Sequence, residues 1–67
     1  MWDRMAKFKI GGKVKVRLDS ASSFKGQIGI VDKVIVDADE AGYFYYIKFK
    51  NVNVPIRFDE DQLETVP

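Results

Sequence analysis

The sequence of 67 residues contains neither cysteine nor histidine. Without cysteine, disulfides, thiolate zinc sites and thiol nucleophiles are excluded together, and a reducing compartment is the default expectation. Without histidine, serine-histidine triads, imidazole bases and histidine-bound metals are excluded as well. Any catalysis would depend on carboxylates, lysines or tyrosines, so we predict a protein that is not an enzyme and that holds no metal and no cofactor.

Long apolar runs are also missing. The longest run has only a few residues, as in Ile28 to Val31, whereas a membrane-spanning helix needs about 20. The opening stretch "MWDRMAKFKI" carries charges and lacks the apolar segment of a secretory signal. We therefore expect a cytoplasmic protein with no membrane contact. A chain this short is expected to form one domain, residues 1–67, and to bury only about 60% of its surface, which leaves a homo-oligomer open.

Charge is distributed unevenly along the chain. The net charge is only +1, but residues 1–34 contain eight basic and three acidic residues, whereas residues 35–67 contain three basic and seven acidic ones. A nearly neutral protein can therefore still present a basic face.

Alternating patterns predict most of the strands. The stretch "KVKVRL", 13–18, predicts a half-buried strand with Val14, Val16 and Leu18 facing inward. The stretch "YFYYIKFK", 43–50, predicts another strand, in which the lysines mark the side that meets water. In "VPIRF", 54–58, we expect Val54 to face inward together with Ile56 and Phe58, and the proline suits an edge strand.

The chain ends are predicted less completely. "DEDQ" predicts one 3₁₀ turn, and "LETVP" a last short strand, which makes five strands in all. Residues 1–10 are left unassigned, because Trp2, Met5, Phe8 and Ile10 fit a helical turn and a loosely ordered arm equally well.

The remaining strand contains an irregularity. In "SFKGQIGIVDKV", 23–34, two glycines lie three residues apart, and the face shared by Gly26, Ile28 and Ile30 is not continued from Val31 onward. A register slip inside an apolar run indicates a bulge or a sharp bend. Glycine inside a strand serves a bulge or the close approach of another backbone, and such curvature closes barrels.

This order of strands resembles a small SH3-like barrel, and the fold class we predict is an all-β, five-stranded SH3-like barrel with a short 3₁₀ turn before the last strand. "GGKVKV" followed by "SFKGQIGIVDKV" resembles the KOW and Tudor-like pattern. "GGKVKVRL", "IGIVDKV", "YFYYIKFKNVN" and "RFDEDQLETV" are similar to the small stromal subunit of photosystem I and its relatives in the photosynthetic NDH complex, which implies an accessory subunit of a larger complex.

"FKIGGKV", "FKGQI" and "LETV" are similar to plasmid-encoded type II dihydrofolate reductase, which implies an oligomeric barrel enzyme that binds NADPH and dihydrofolate in a pore. The Val-Gln-Ile-Tyr motif of that pore corresponds to Val54-Pro55-Ile56-Arg57, in which the glutamine and the tyrosine are replaced. Pro55 and Arg57 therefore argue against reductase activity. Fold alone does not give function.

Basic and aromatic side chains form the candidate ligand-binding site. Lys13, Lys15 and Arg17 recur at about 6.6 Å along one strand face, a spacing that suits a phosphate backbone or an acidic protein surface. The remaining candidates are Phe24, Lys25, Phe44, Tyr46 and Lys48. Exposed rings beside cations can stack on bases or cage cations. The alternatives are an ordinary solvated face and rings covered by a loop or a subunit.

Two acidic stretches are interpreted as turns. Asp37, Asp39 and Glu40 in "DADEAG" lack the further ligands of a calcium loop, and "DEDQ" keeps a barrel edge soluble. From the basic and aromatic candidates we predict a binding module for an acidic partner, either nucleic acid or an acidic protein.

Overall fold

A computed structural model describes residues 6–39 and 42–67 of the chain. The strands are β1 (Lys13–Val16), β2 (Ile28–Asp37), β3 (Gly42–Lys48), β4 (Ile56–Asp59) and β5 (Leu63–Thr65), with a 3₁₀ turn at Glu60–Gln62. All pairings are antiparallel, and the strands lie in the order β4-β3-β2-β1-β5. The all-β class and the 3₁₀ turn before the last strand are confirmed, and the sheet is compatible with an SH3-like small β fold.

The core lies against one face of this sheet. Its buried members are Phe8, Val14, Val16, Val31, Tyr45, Ile47, Phe49, Phe58 and Leu63. The prediction that one face of β3 is buried and that its lysines meet water is confirmed, because Tyr45 and Ile47 are fully buried and Lys48 is exposed. The alternation in β1 is confirmed over Lys13–Val16 in the same way.

The two glycines of "SFKGQIGIVDKV" serve different purposes. Gly26 has a φ of +82°, a turn conformation that ordinary side chains disfavour, and it lies just before β2. Gly29 lies within β2, where a Cβ would lie 2.7 Å from the carbonyl oxygen of Lys48 and 2.5 Å from Cγ2 of Ile47. Gly26 thus makes the turn, and Gly29 lets β3 approach β2 closely.

The register irregularity of β2 is confirmed, slightly later than expected. It lies between Val31 and Lys33, where the pairing with β3 skips Asp32. A residue left over in one strand bends that strand and increases its twist. The bend separates the half of β2 that pairs with β1 from the half that pairs with β3 alone.

Two side chains predicted to face the core do not. Leu18 is 67% exposed, because β1 ends at Val16 and the chain turns through Arg17 and Asp19. Val54 is 60% exposed, because β4 begins only at Ile56. Both predictions extended an alternating pattern beyond the strand, past the end of β1 for Leu18 and ahead of the start of β4 for Val54.

The segment before β1 packs onto the core through a hydrogen-bonded tyrosine. The Phe8 ring contacts the Tyr45 ring edge-on, with centroids 5.3 Å apart. The Tyr45 hydroxyl donates to Oε2 of Glu60 at 2.5 Å and accepts from the Phe8 N–H at 3.3 Å, while the Lys7 N–H donates to the same Glu60 oxygen at 3.0 Å. Burial first, and then the hydrogen bond to Glu60, raise the pKa of Tyr45 to about 12. Trp2 and Met5 lie outside the described residues.

Candidate binding face

The sheet surface opposite the core carries most of the predicted site residues. In antiparallel pairs, residues directly opposite each other share a face. The strand register therefore places one set of side chains together on this surface, which we call the outer face: Lys13, Lys15, Ile28, Ile30, Lys33, Ile35, Asp37, Phe44, Tyr46, Lys48, Arg57, Asp59 and Glu64.

One half of the outer face is basic with an apolar centre. Ile30 lies opposite Lys13 on one side and opposite Lys48 on the other, so the three form a row across β1, β2 and β3. Ile28 lies opposite Lys15 in the next row. Ile28 is 52% exposed and Ile30 37% exposed. Two isoleucines on the surface between three lysines thus make an apolar strip with a cationic rim.

The other half is aromatic. Tyr46 lies between Lys33 of β2 and Arg57 of β4, and Phe44 occupies the neighbouring row. The Arg57 guanidinium carbon lies 4.1 Å from the centroid of the Phe44 ring. The Phe44 and Tyr46 rings meet edge-on with centroids 6.0 Å apart, and both side chains are half-buried. One face of the Phe44 ring is therefore occupied by a cation of the protein itself.

Acidic side chains at the margin reduce the positive charge of this surface. Glu64 of β5 lies opposite Lys15, and Asp59 of β4 lies opposite Phe44. The closest approach of Arg57 to Asp59 is 3.8 Å, a loose contact between exposed groups. Asp37 of β2, opposite Gly42, is the third carboxylate of this face. Five cations still exceed the three carboxylates, and Lys13, Lys33 and Lys48 are all exposed.

Arg17 is engaged by its own neighbour. Its Nε and Nη2 donate to the two carboxylate oxygens of Asp19 at 3.0 and 3.1 Å. This hydrogen bonding and the attraction between the two charges raise the pKa of Arg17, and the same hydrogen bond lowers the pKa of Asp19. Arg17 thus stands at the end of β1 with its charge largely compensated.

The structure does not bring Phe24 and Lys25 to the outer face. Phe24 stacks on Phe49 with centroids 4.7 Å apart and meets Phe58 edge-on, so it packs on the core side. Lys25 is exposed in the loop before β2. Both belong to the turn between β1 and β2, which the hydrogen bond from the Gln27 N–H to the Phe24 carbonyl oxygen closes at 2.9 Å.

Sequence reasoning missed Lys33, Arg57, Ile28 and Ile30 as members of the site. Arg57 was recognisable as an outward residue of its strand, but its place over Phe44 depends on the pairing of β3 with β4. Lys33 reaches the outer face because the bulge shifts the register after Val31. The two isoleucines could not be assigned to a side until the position of the slip was known.

The acidic side chains form no metal centre among the residues that the structure describes. No group of three or more carboxylates there is arranged to hold an ion. Asp37, Asp59, Glu60 and Asp61 line an open depression together with Lys7 and Tyr43. The Asp39 N–H donates to Oδ1 of Asp37 at 3.2 Å, as expected of a turn. Glu40 lies outside the described residues.

Residues 6–39 and 42–67 contain no helix with the length and hydrophobicity of a transmembrane segment. The fold and the outer face define a small antiparallel β protein, compatible with an SH3-like small β fold, whose solvent-facing sheet surface is basic, aromatic and partly apolar. No protein-family model, no curated protein and no solved structure matches the chain.

Proposed function

We propose that this protein is a non-enzymatic binding module that docks an acidic protein through its outer face. The observation that carries this proposal is the row of Lys13, Ile30 and Lys48, in which an exposed apolar side chain lies between two cations. Protein interfaces combine an apolar centre with a polar rim, and complementary charge directs the encounter. A partner with an apolar centre and an acidic rim would complement this surface.

The same features favour an acidic protein over nucleic acid. A phosphate backbone gains little from contact with Ile28 and Ile30, which together form the exposed strip. Base stacking needs an open ring face, whereas the Phe44 ring is covered on one side by Arg57 and otherwise half-buried. Single-stranded nucleic acid is therefore the competing ligand against which the proposal is tested.

Direct binding measurements separate the two ligands. One probe is a fluorescent glutamate-rich peptide carrying single leucines, and the other is a single-stranded oligonucleotide with the same number of negative charges. We expect the peptide to bind more tightly, with an affinity that survives physiological salt because of the apolar contact. Binding of the oligonucleotide alone, with the steep salt dependence of phosphate neutralisation, would refute the acidic-protein proposal.

Charge reversal tests whether the outer face is the surface used. We expect Lys13→Glu combined with Lys48→Glu to abolish peptide binding. The matched control is Lys9→Glu combined with Lys25→Glu, which changes the net charge equally at two exposed lysines away from the outer face. Equal losses in the two double variants would mean that net charge, and not the outer face, determines binding.

A further inference from the structure

We propose that Arg57, held over the Phe44 ring, is the carboxylate-recognising residue of the outer face. This inference rests on the proposed function and assigns a particular role to one residue within it. Arg57 is about half exposed at its side chain, and its guanidinium carbon lies 4.1 Å from the ring centroid. A guanidinium that lies against an aromatic ring keeps its N–H edges available, and these edges match a carboxylate with two parallel hydrogen bonds.

The neighbours of Arg57 complete the recognition site. Tyr46 lies directly opposite it on β3, and Lys33 lies opposite Tyr46 on β2. Arg57, a phenol and an ammonium therefore line up across three strands, all on the surface away from the core. A partner carboxylate bound by Arg57 would therefore have a tyrosine on the neighbouring strand and a second cation on the strand beyond it. Asp59, at 3.8 Å, is too loosely placed to occupy the guanidinium as a bidentate partner.

Arg17 supplies the contrast within the same chain. It is the other described arginine, it is similarly exposed, and both its Nε and its Nη2 are already committed to Asp19. The guanidinium of Arg17 is hydrogen-bonded to a carboxylate of the same chain, whereas the guanidinium of Arg57 lies over an aromatic ring. The two arginines thus have the same chemistry and different availability.

Conservative substitution separates recognition from charge. Arg57→Lys keeps the charge but loses the planar fork, and we expect it to weaken binding of the glutamate-rich peptide about three- to fivefold through the loss of one of the two parallel hydrogen bonds to the carboxylate. Phe44→Leu should produce a similar loss. Arg17→Lys should leave the affinity unchanged. Because no charge is removed, the salt dependence of binding should remain that of the wild type in all three variants.

A spectroscopic measurement tests the placement of the Arg57 guanidinium over the Phe44 ring without a ligand. In an amide correlation spectrum, the Nε–H signal of Arg57 should be shifted by the Phe44 ring current, and Phe44→Leu should return it to the position of an unstacked arginine. The backbone spectrum of each variant shows whether the fold is intact. Addition of the peptide should move the Arg57 signal and leave that of Arg17 in place.

The outcomes distinguish this inference from the function on which it rests. If the Lys13 and Lys48 double variant loses binding while Arg57→Lys binds as tightly as Arg17→Lys, the role of Arg57 is refuted and the proposed function stands. If the wild-type protein does not bind the peptide at all, both are refuted. An Nε–H signal of Arg57 that does not respond to Phe44→Leu would likewise overturn the placement of Arg57 over the ring.

Discussion

Replacing Gly29 by alanine should be among the most damaging small changes in this protein. The added methyl would meet the carbonyl oxygen of Lys48 at 2.7 Å, Cγ2 of Ile47 at 2.5 Å and Cδ1 of Phe49 at 3.0 Å. Ile47 and Phe49 are buried core residues, and the Lys48 oxygen belongs to the backbone of β3. None of the three can move freely, so β2 and β3 would have to separate.

Overpacking of this kind typically costs about 1–3 kcal/mol, and a backbone neighbour favours the upper part of that range. For a domain of this size, 1 kcal/mol corresponds to about 4–8 °C in Tm, so we expect a fall of roughly 10–20 °C. The assay is thermal unfolding followed by circular dichroism, with urea unfolding as an independent measurement.

Gly11 provides a matched control, because a side chain there would meet backbone strain and no steric contact, whereas at Gly29 it would meet close contacts. Its φ is +88°, and nothing lies within 4 Å of a Cβ built there. Alanine at position 11 should cost about 1–2 kcal/mol through backbone strain alone, and Gly11→Asn should recover part of that cost because asparagine tolerates positive φ. At position 29 asparagine should be no better than alanine. A Gly29→Ala variant that unfolds at the wild-type temperature would refute the close approach of β3.

Three further predictions concern stability. Tyr45→Phe removes the acceptor of the buried Phe8 N–H and should cost about 1–3 kcal/mol in urea unfolding; an unchanged midpoint would show that this hydrogen bond is not formed in solution. The pKa of Tyr45 is raised from 10.0 to about 12, so the stability that its protonated hydroxyl contributes is complete below about pH 10 and is lost as the pH rises through about 12. The fall of the urea midpoint at alkaline pH should therefore be smaller in Tyr45→Phe than in the wild type. The same pH dependence of the midpoint in both proteins would contradict the raised pKa. Leu18→Ala should change stability by less than about 0.5 kcal/mol, as expected of an exposed side chain, whereas an effect of about 2–5 kcal/mol would mean that Leu18 is buried after all.

Much of the fold was predictable because its signals are local. The alternation of "KVKV" and the aromatic content of "YFYYIK" each act within one strand, and both strands are present. The irregularity of β2 was also predictable, because a slip in apolar period has few structural solutions. The ends of strands were not, since Leu18 and Val54 continue a pattern that no partner strand extends to pair with.

The candidate site was predictable only in part, because the pairing of neighbouring strands determines which of their side chains lie together on one surface of the sheet. Lys13 and Lys15 were assigned to one side by the period of their own strand. The row of Lys13, Ile30 and Lys48 requires the registers of two strand pairs, which no local pattern contains. Phe24 illustrates the converse, since a ring in a polar loop was expected at a ligand and packs instead against Phe49.

The burial of Phe8 shows the same limit at the other end of the chain. Phe8 joins the core because Tyr45 and Glu60, which are distant in sequence, hold the backbone of residues 7 and 8. An irregular segment of this kind has no regular spacing of apolar residues, so its sequence fitted a helical turn and a loosely ordered arm equally well.

A titration of the isotope-labelled protein with the glutamate-rich peptide, followed through its backbone amide signals, would show which surface of the protein binds the peptide. We expect the perturbed amides to belong to the outer face, centred on Ile28 and Ile30 and extending to Lys48 and Arg57, while those of the turn at Glu60–Gln62 stay unchanged. Shifts centred on that turn and the acidic depression beside it, or no shifts at all, would contradict the proposed function.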